Sequence, residues 1–259
     1  MGTVRFEQHL AAISVAAHRL GEEAWAAGPD AAVPTCPGWS VRDLVAHQGM
    51  VHRWATAVVL GDSDAADSPD GFREEGLAES DPVEWLIEGS LELVEALEDA
   101  HANLKALVFL KDAPSARDFW ARRQCHETTI HAFDALSAHL ARMPSANDAE
   151  IDPPFAADGL DELLTGFLPR SKSRLRSDAL VRIAVSPIDV DAAWLVAVSQ
   201  EPAVTTRHTS DSGELATAKV RFSGTAAQLY LGLWNRGNEI VTTDEAMLTR
   251  WREVSRVEW

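Results

Sequence analysis

The spacing of apolar residues changes character part-way along the chain, and that change constrains the fold more than any other feature. Up to about residue 143, apolar positions recur every three or four residues, the period of amphipathic helices. Beyond residue 154, β-type runs mix with short helical ones. Between the two stands MPSANDAEIDPP, residues 143–154, whose prolines and small polar residues stop a helix and give little to pack. Two domains are expected, 1–145 and 153–259, in a chain of 259 residues.

Four long helices read out of the first half. Phe6 to Ala27 carries Leu10, Ile13, Val15, Ala17 and Leu20 as its inward positions. The second starts at Ser40, a good N-cap with Asp43 three residues on, and continues as a stripe of Val41, Leu44, Val45, Gln48, Val51, Ala55 and Val58. A third runs from Pro82 to Leu104 with Val83, Leu86, Ile87, Leu91, Val94 and Leu97 inward. The fourth runs from Ser115 to Met143. Such lengths and connections predict a four-helix bundle. Residues 61–80, GDSDAADSPDGFREEGLAES, read as a long acidic loop, either a solvated connector or a lid. After the boundary come a helix over 159–168, β-type runs at 180–186, 194–199, 218–223 and 240–242, and helices over 225–234 and 244–254. A small mixed α+β domain accommodates these.

A formal charge of -17 excludes nucleic acid and anionic membranes as natural partners, because phosphate needs basic groups facing it. No apolar run approaches the roughly 20 residues that span a bilayer. The opening residues lack the pattern of a secretory signal. Two cysteines, Cys36 and Cys125, make no disulfide framework and suit a reducing compartment, so a cytoplasmic location is expected.

Helix four contains QCHETTIHAFDA. Glu127 and His131 are four apart and so stand one above the other on one face, close enough for a carboxylate oxygen and an imidazole nitrogen to reach the same metal ion. His47 is the best third ligand, on the flank of the inward stripe about 60° from Leu44 and 40° from Val51. Two His and one Glu form a catalytic zinc set that leaves a position open. Asp134 and Asp43 are placed to orient the imidazoles, although Asp43 also suits the helix start. Glu-x-x-x-His pairs are common as ordinary surface pairs, and a His beside an apolar stripe is more often just hydrogen-bonded in the core, so the spacing alone is a weak signal. Cys36, before a proline in a turn, reads as a packing cysteine; Gly38 reads as the turn residue and Trp39 as a staple beside the helix start. Cys125 falls on the other side of the helix from Glu127. Trp194, Trp234 and Trp251 read as core.

Taken together, PTCPGWSVRDLVAHQGMVHRW (34–54) and RRQCHETTIHAFDAL (122–136) resemble the mycothiol-dependent maleylpyruvate isomerase family, and YLGLWNR (230–236) resembles the L-W-x-R segment of its small C-terminal α/β domain. The resemblance covers most of the chain. It implies a DinB-like four-helix metal-binding bundle followed by a small mixed α+β domain. It also implies His47, Glu127 and His131 as ligands of a divalent metal, zinc first, and Arg236 as an active-site arginine. Its cofactor is a low-molecular-weight thiol, mycothiol or similar, whose sulfur approaches the metal and adds to a small electrophile. Arg236 reads equally well as one half of an ordinary ion pair.

The expected activity is therefore a metal- and thiol-dependent cis–trans isomerase or S-transferase acting on a small electrophilic molecule, as a monomer or homodimer. A metal-dependent hydrolase with a metal-bound water stays open as an alternative. So does a regulatory protein that binds metal or thiol without turnover.

Overall fold

The computed structural model describes residues 4–110 and 113–255. Residues 1–3 of the first expected domain and 256–259 of the second therefore lie outside the described residues. Two compact units form: one of Arg5–Phe109 with Ala113–Pro144, the other from Ser145 on, with Val4 and Leu110 counted in it.

The first unit is the expected bundle. Its long helices are α1 (Phe6–Ala27), α2 (Val41–Leu60), α5 (Pro82–Asp99) and α6 (Ala116–His139), with short α3 (Ser63–Ala66) and α4 (Pro69–Ala78) between α2 and α5. Helix α1 packs along α5 and α6, and α2 packs along the same pair. Their starts are written in local chemistry. At α2, the Ser40 hydroxyl accepts from the Asp43 backbone N–H at 3.2 Å, and the Ser40 N–H donates back to the Asp43 carboxylate at 3.1 Å. At α5, Asp81 accepts from the Glu84 N–H and Pro82 opens the first turn.

The predicted stripe of α2 is buried at every position from Val41 to Val58. Two inward assignments fail. Val15 of α1 is 70% exposed and Leu91 of α5 is 52% exposed. In α5 the buried set is Trp85, Leu86, Gly89, Ser90, Leu93, Ala96 and Leu97, so glycine, serine and alanine take places where helix partners come close.

Residues 61–80 are not a loop. Helices α3 and α4 occupy most of the segment, and α4 lies against α2. The Trp54 indole N–H donates to the Ala66 carbonyl at 3.1 Å, and Arg73 pairs with Asp43 at 3.2 Å. Trp85 fills a slot whose walls are Gly49 of α2 and Gly76 of α4; a Cβ built on either would fall within 2.6 Å of its ring.

Helix α6 breaks the amphipathic rule. From Phe119 to Ala138 every residue but Arg122 and Thr129 is buried, including Arg123, Gln124, His126, Glu127, Thr128, His131, Asp134 and Ser137. Burying so many polar groups is costly unless they are paired with one another. Packing alone does not account for this helix.

The second unit begins with α7 (Pro153–Asp161), which continues into a π-helical turn over Glu162–Phe167, earlier than the expected start at 159 because Pro153 serves in the first turn. A five-stranded sheet follows in the order β3-β2-β1-β4-β5: β1 (Val181–Pro187), β2 (Ala193–Val198), β3 (Val204–His208), β4 (Val220–Gly224) and β5 (Val241–Thr242). Only β1 and β4 run parallel. Helix α8 (Ala226–Leu233) packs on α7, and α9 (Glu245–Val254) closes the described chain. Trp194, Trp234 and Trp251 are buried, as expected. Strand β3 was not anticipated. Arg207 in it reaches both carboxylate oxygens of buried Asp161, which also accepts from the Trp194 indole N–H at 3.0 Å.

Candidate metal centre

Helix α6 delivers Glu127 and His131 one turn apart, and α2 delivers His47 to the same point. Glu127 Oε1 lies 3.4 Å from His131 Nε2 and 3.9 Å from His47 Nε2. All three donor atoms fall within 4.8 Å of one another, and all three residues are buried. Nitrogen and oxygen ligands about 2.1 Å from a tetrahedral ion stand about 3.4 Å apart. The two carboxylate–imidazole separations are therefore close to those of a ligand set around one ion. Glu127 Oε1 supports the same fit: it is buried and has no hydrogen bond of good geometry among the described residues. The two imidazoles and one carboxylate suit a borderline divalent ion such as zinc.

The surroundings fix these side chains. Glu127 Oε2 is taken by Arg123, one turn earlier on α6, whose Nη2 donates to it at 2.7 Å with the arginine fully buried. Burial by itself raises the pKa of Glu127, but Arg123 and the two imidazoles outweigh it and hold the carboxyl well below its usual range. Asp134 Oδ2 stands 2.9 Å from His131 Nδ1. A carboxylate only accepts, so Nδ1 carries the proton and a neutral His131 presents the Nε2 lone pair toward Glu127 and His47. Burial pushes the His131 pKa down, yet Asp134 and Glu127 raise it to about 8. For His47 burial prevails and the pKa is lowered.

The turn before α2 supplies more than a helix start. Gly38 adopts φ +91, which a side-chain-bearing residue rarely takes, and this lets the chain double back so that Ala32 pairs with Ser40. Trp39 then lies against the site: its ring centroid is 5.0 Å from that of His47 and 6.2 Å from that of His131, stacked at 17° on the latter. It is thus a wall of the site rather than only a staple. Cys36 is half-buried, and its thiol donates to Asp134 Oδ2 at 3.2 Å, the oxygen that holds His131. Asp43 does not orient His47; its carboxylate is engaged by Ser40 and Arg73.

One turn further along, His52, Gln48 and Thr128 form a buried triangle. His52 Nε2 lies 2.8 Å from Gln48 Nε2 and 2.9 Å from Thr128 Oγ1, and Thr128 donates to the Gln124 carbonyl at 2.7 Å. Burial, with the charge of Arg53 adding to it, lowers the His52 pKa to about 3, so its ring stays neutral.

Arg236 belongs to the other unit. Helix α8 ends in a Schellman motif: the Arg236 N–H reaches the Leu231 carbonyl at 2.7 Å, the Asn235 N–H reaches Gly232 at 3.2 Å, and Asn235 takes φ 62. This cap sets Arg236 just past the helix, half-buried, with Nη1 donating to the Trp234 carbonyl at 3.1 Å.

Three of the residues at the centre, Arg123, Trp39 and Cys36, were not read as site residues from sequence. Arg123 had a signal, since it stands four residues before Glu127 on the same face. Residues 10–136 match the family model described as the mycothiol maleylpyruvate isomerase N-terminal domain, and residues 154–248 match the MDMPI C-terminal domain. The chain belongs to this family. Within the family's frame, His47, Glu127 and His131 fall in the N-terminal match and Arg236 in the C-terminal one. Two solved structures of mycothiol-dependent maleylpyruvate isomerase, one a histidine-to-alanine mutant, share the fold. Each gives a TM-score of 0.63 at 13% identity and covers 94% of this chain and 96% of its own. At that identity the likeness concerns the fold. No curated protein matches the sequence. Among the described residues no helix is long and apolar enough to cross a membrane.

Proposed function

We propose that the chain is a zinc-dependent enzyme that uses mycothiol or a similar thiol to isomerise a small electrophilic diacid of the maleylpyruvate type. The observation that carries this is the convergence of His47, Glu127 and His131 in a family whose solved members are named for a thiol-dependent isomerase. Bound there, a divalent ion supplies Lewis-acid stabilisation of a thiol sulfur as thiolate, the form that adds reversibly to an activated double bond and so permits its rotation.

The chain's own residues do the rest. Arg123 keeps one carboxylate oxygen of Glu127 occupied and the other aimed at the two imidazoles. Asp134 holds His131 in the tautomer whose Nε2 can ligate. Trp39 gives the imidazoles an apolar wall and excludes water from that side. Arg236 supplies a planar fork suited to a substrate carboxylate. Reaction through a reduced thiol agrees with a cytoplasmic setting.

The test is metal content per chain by elemental analysis, followed by maleylpyruvate isomerisation with and without mycothiol. A content that falls by about one ion per chain in His131→Ala and in Glu127→Gln, with turnover only when thiol is present, is the expected result. Loss of turnover in Arg236→Ala with metal retained gives that residue its role. Isomerisation that needs no thiol would overturn the role given to the thiol, and thiol-independent cleavage of the substrate with uptake of water would replace this reading with hydrolysis by a metal-activated water.

A further inference from the structure

Helix α6 carries a second group of ligand-type side chains, on the flank turned away from Glu127 and His131. Cys125 lies two residues before Glu127, about 200° round the helix axis, and His126 lies beside it. His9, in the opening of α1, meets them there. The Cys125 sulfur and one nitrogen each from His9 and His126 lie within 4.8 Å of one another. All three residues are buried, at 0%, 5% and 0% exposure for Cys125, His9 and His126. The two imidazoles meet edge to face, with centroids 6.2 Å apart at 67°.

We propose that His9, Cys125 and His126 form a second metal site, for a thiophilic ion of the zinc class, separate from the His47–Glu127–His131 centre. The chemistry of the donors decides the class. A thiolate and two imidazoles are soft or borderline ligands that take zinc or monovalent copper, and the group has no carboxylate with which to attract magnesium or calcium. At metal–ligand lengths of about 2.3 Å to sulfur and about 2.05 Å to nitrogen, tetrahedral ligand atoms stand about 3.3–3.6 Å apart. The three donors already stand within 4.8 Å of one another, and an ion bound between them draws them closer. The Cys125 thiol now donates to the Arg122 carbonyl at 3.1 Å. On binding, that proton leaves to solvent and the sulfur becomes a ligand as thiolate. Because His9 is on α1 and its two partners are on α6, the ion ties together two helices that pack along each other. Its role is to add folding energy to the bundle rather than to bind substrate.

Cobalt(II) tests this on the full chain, first stripped of metal with a chelator. His47, Glu127 and His131 offer no sulfur, and Cys36, which sits beside them on Asp134, is controlled by its own serine variant, so a thiolate-to-cobalt charge-transfer band in the near ultraviolet that depends on Cys125 reports the second site. The chain has only two cysteines, and the two serine variants account for the whole signal. Expected are about two cobalt ions per parent chain and a charge-transfer band that Cys36→Ser keeps and Cys125→Ser loses. A parent without that band, or a band that survives Cys125→Ser, overturns the proposal. If Cys125→Ser does not fold, the α1 side of the site still serves: zinc should raise the melting temperature of Glu127→Gln, and adding His9→Gln should abolish that rise. Equal rises in both also overturn it. Loss of ions from the His47 centre alone leaves the band in place, so the two readings fail separately.

Discussion

Arg123 Nη2 and Glu127 Oε2 meet at 2.7 Å where almost no water reaches, and this pairing leaves Oε1 as the carboxylate oxygen that faces both imidazoles. Removing one partner of such a pair strands a buried charge, which costs about 3–5 kcal/mol. Arg123→Met is therefore expected to lower the stability of the metal-free protein by about that amount and to weaken metal binding about 10–100-fold. Urea unfolding and competition with a chelator measure the two effects; a variant as stable as the parent would mean the pair is relaxed in solution. His52 gives a pH test of the opposite sign to His131. Its folded pKa of about 3 lies below the unfolded value of about 6.5, so the unfolded chain binds the extra proton and stability falls as pH drops below about 6.5. His131, raised to about 8, contributes stability at low pH that fades as pH rises through about 8 in the metal-free protein. Comparing the parent with His52→Gln cancels the His131 contribution. Between pH 7 and 5 the parent should lose about 2 kcal/mol more than the variant, and parallel curves would refute the shift. At this scale sequence spacing was a good guide where a helix does the placing: Glu127 and His131 come from one face by their interval of four, and His47 from its angle on α2. Trp39 and Cys36 pack against the bundle core as expected, but their contacts with the imidazoles and with Asp134 went unread because a turn aims them. The direction of a turn residue depends on backbone angles such as φ +91 at Gly38, which no periodicity encodes.

Helix α4 shows what periodicity misses at the scale of elements. PDGFREEGLA has few apolar residues and two glycines, so its pattern is that of a loop. What makes it a helix is its neighbour: Trp85 is seated between Gly76 and Gly49, and the Ala46 backbone lies close beside Gly76. The sign of Gly76→Ala decides whether that packing holds in solution. On an exposed helix the change stabilises by about 0.5–1 kcal/mol. Here the new methyl would sit 2.6 Å from the Trp85 ring and 3.2 Å from Ala46 Cα, and such overpacking costs about 1–3 kcal/mol. Destabilisation in urea unfolding is the expected outcome; a gain would make the segment a loosely held connector. Strand β3 was missed for a related reason. It is an edge strand with an exposed, polar face, VTTRH, paired on one side only, so alternation is weak. The four long helices and strands β1, β2 and β4 were legible because each buries several apolar positions in the expected period, whereas the two-residue β5 buries neither of its residues. The exception is α6, whose polar residues are buried on nearly every side: its helix could be read, its complete burial could not.

At the scale of the whole molecule the net charge of -17 sets a condition on the proposed chemistry. A diacid approaching such a surface is repelled over a distance comparable to the Debye length, about 30 Å at 0.01 M salt and about 8 Å at 0.15 M. Association should then quicken as salt is added, the reverse of what a basic, steering surface produces. The expectation is that kcat/KM for maleylpyruvate rises with ionic strength over this range while kcat stays nearly constant, because the chemical step occurs at a buried centre that salt screens little. Steady-state kinetics with a neutral electrophile provide the control, since its kcat/KM should not respond. A fall in kcat/KM with salt would mean that the approach is governed by local cations instead. Arg73 is the first to examine in that case: its charge bears on His47, and its pairing with Asp43 leaves it partly exposed. Arg73→Gln would then remove the salt dependence, whereas it should leave a dependence set by net charge in place.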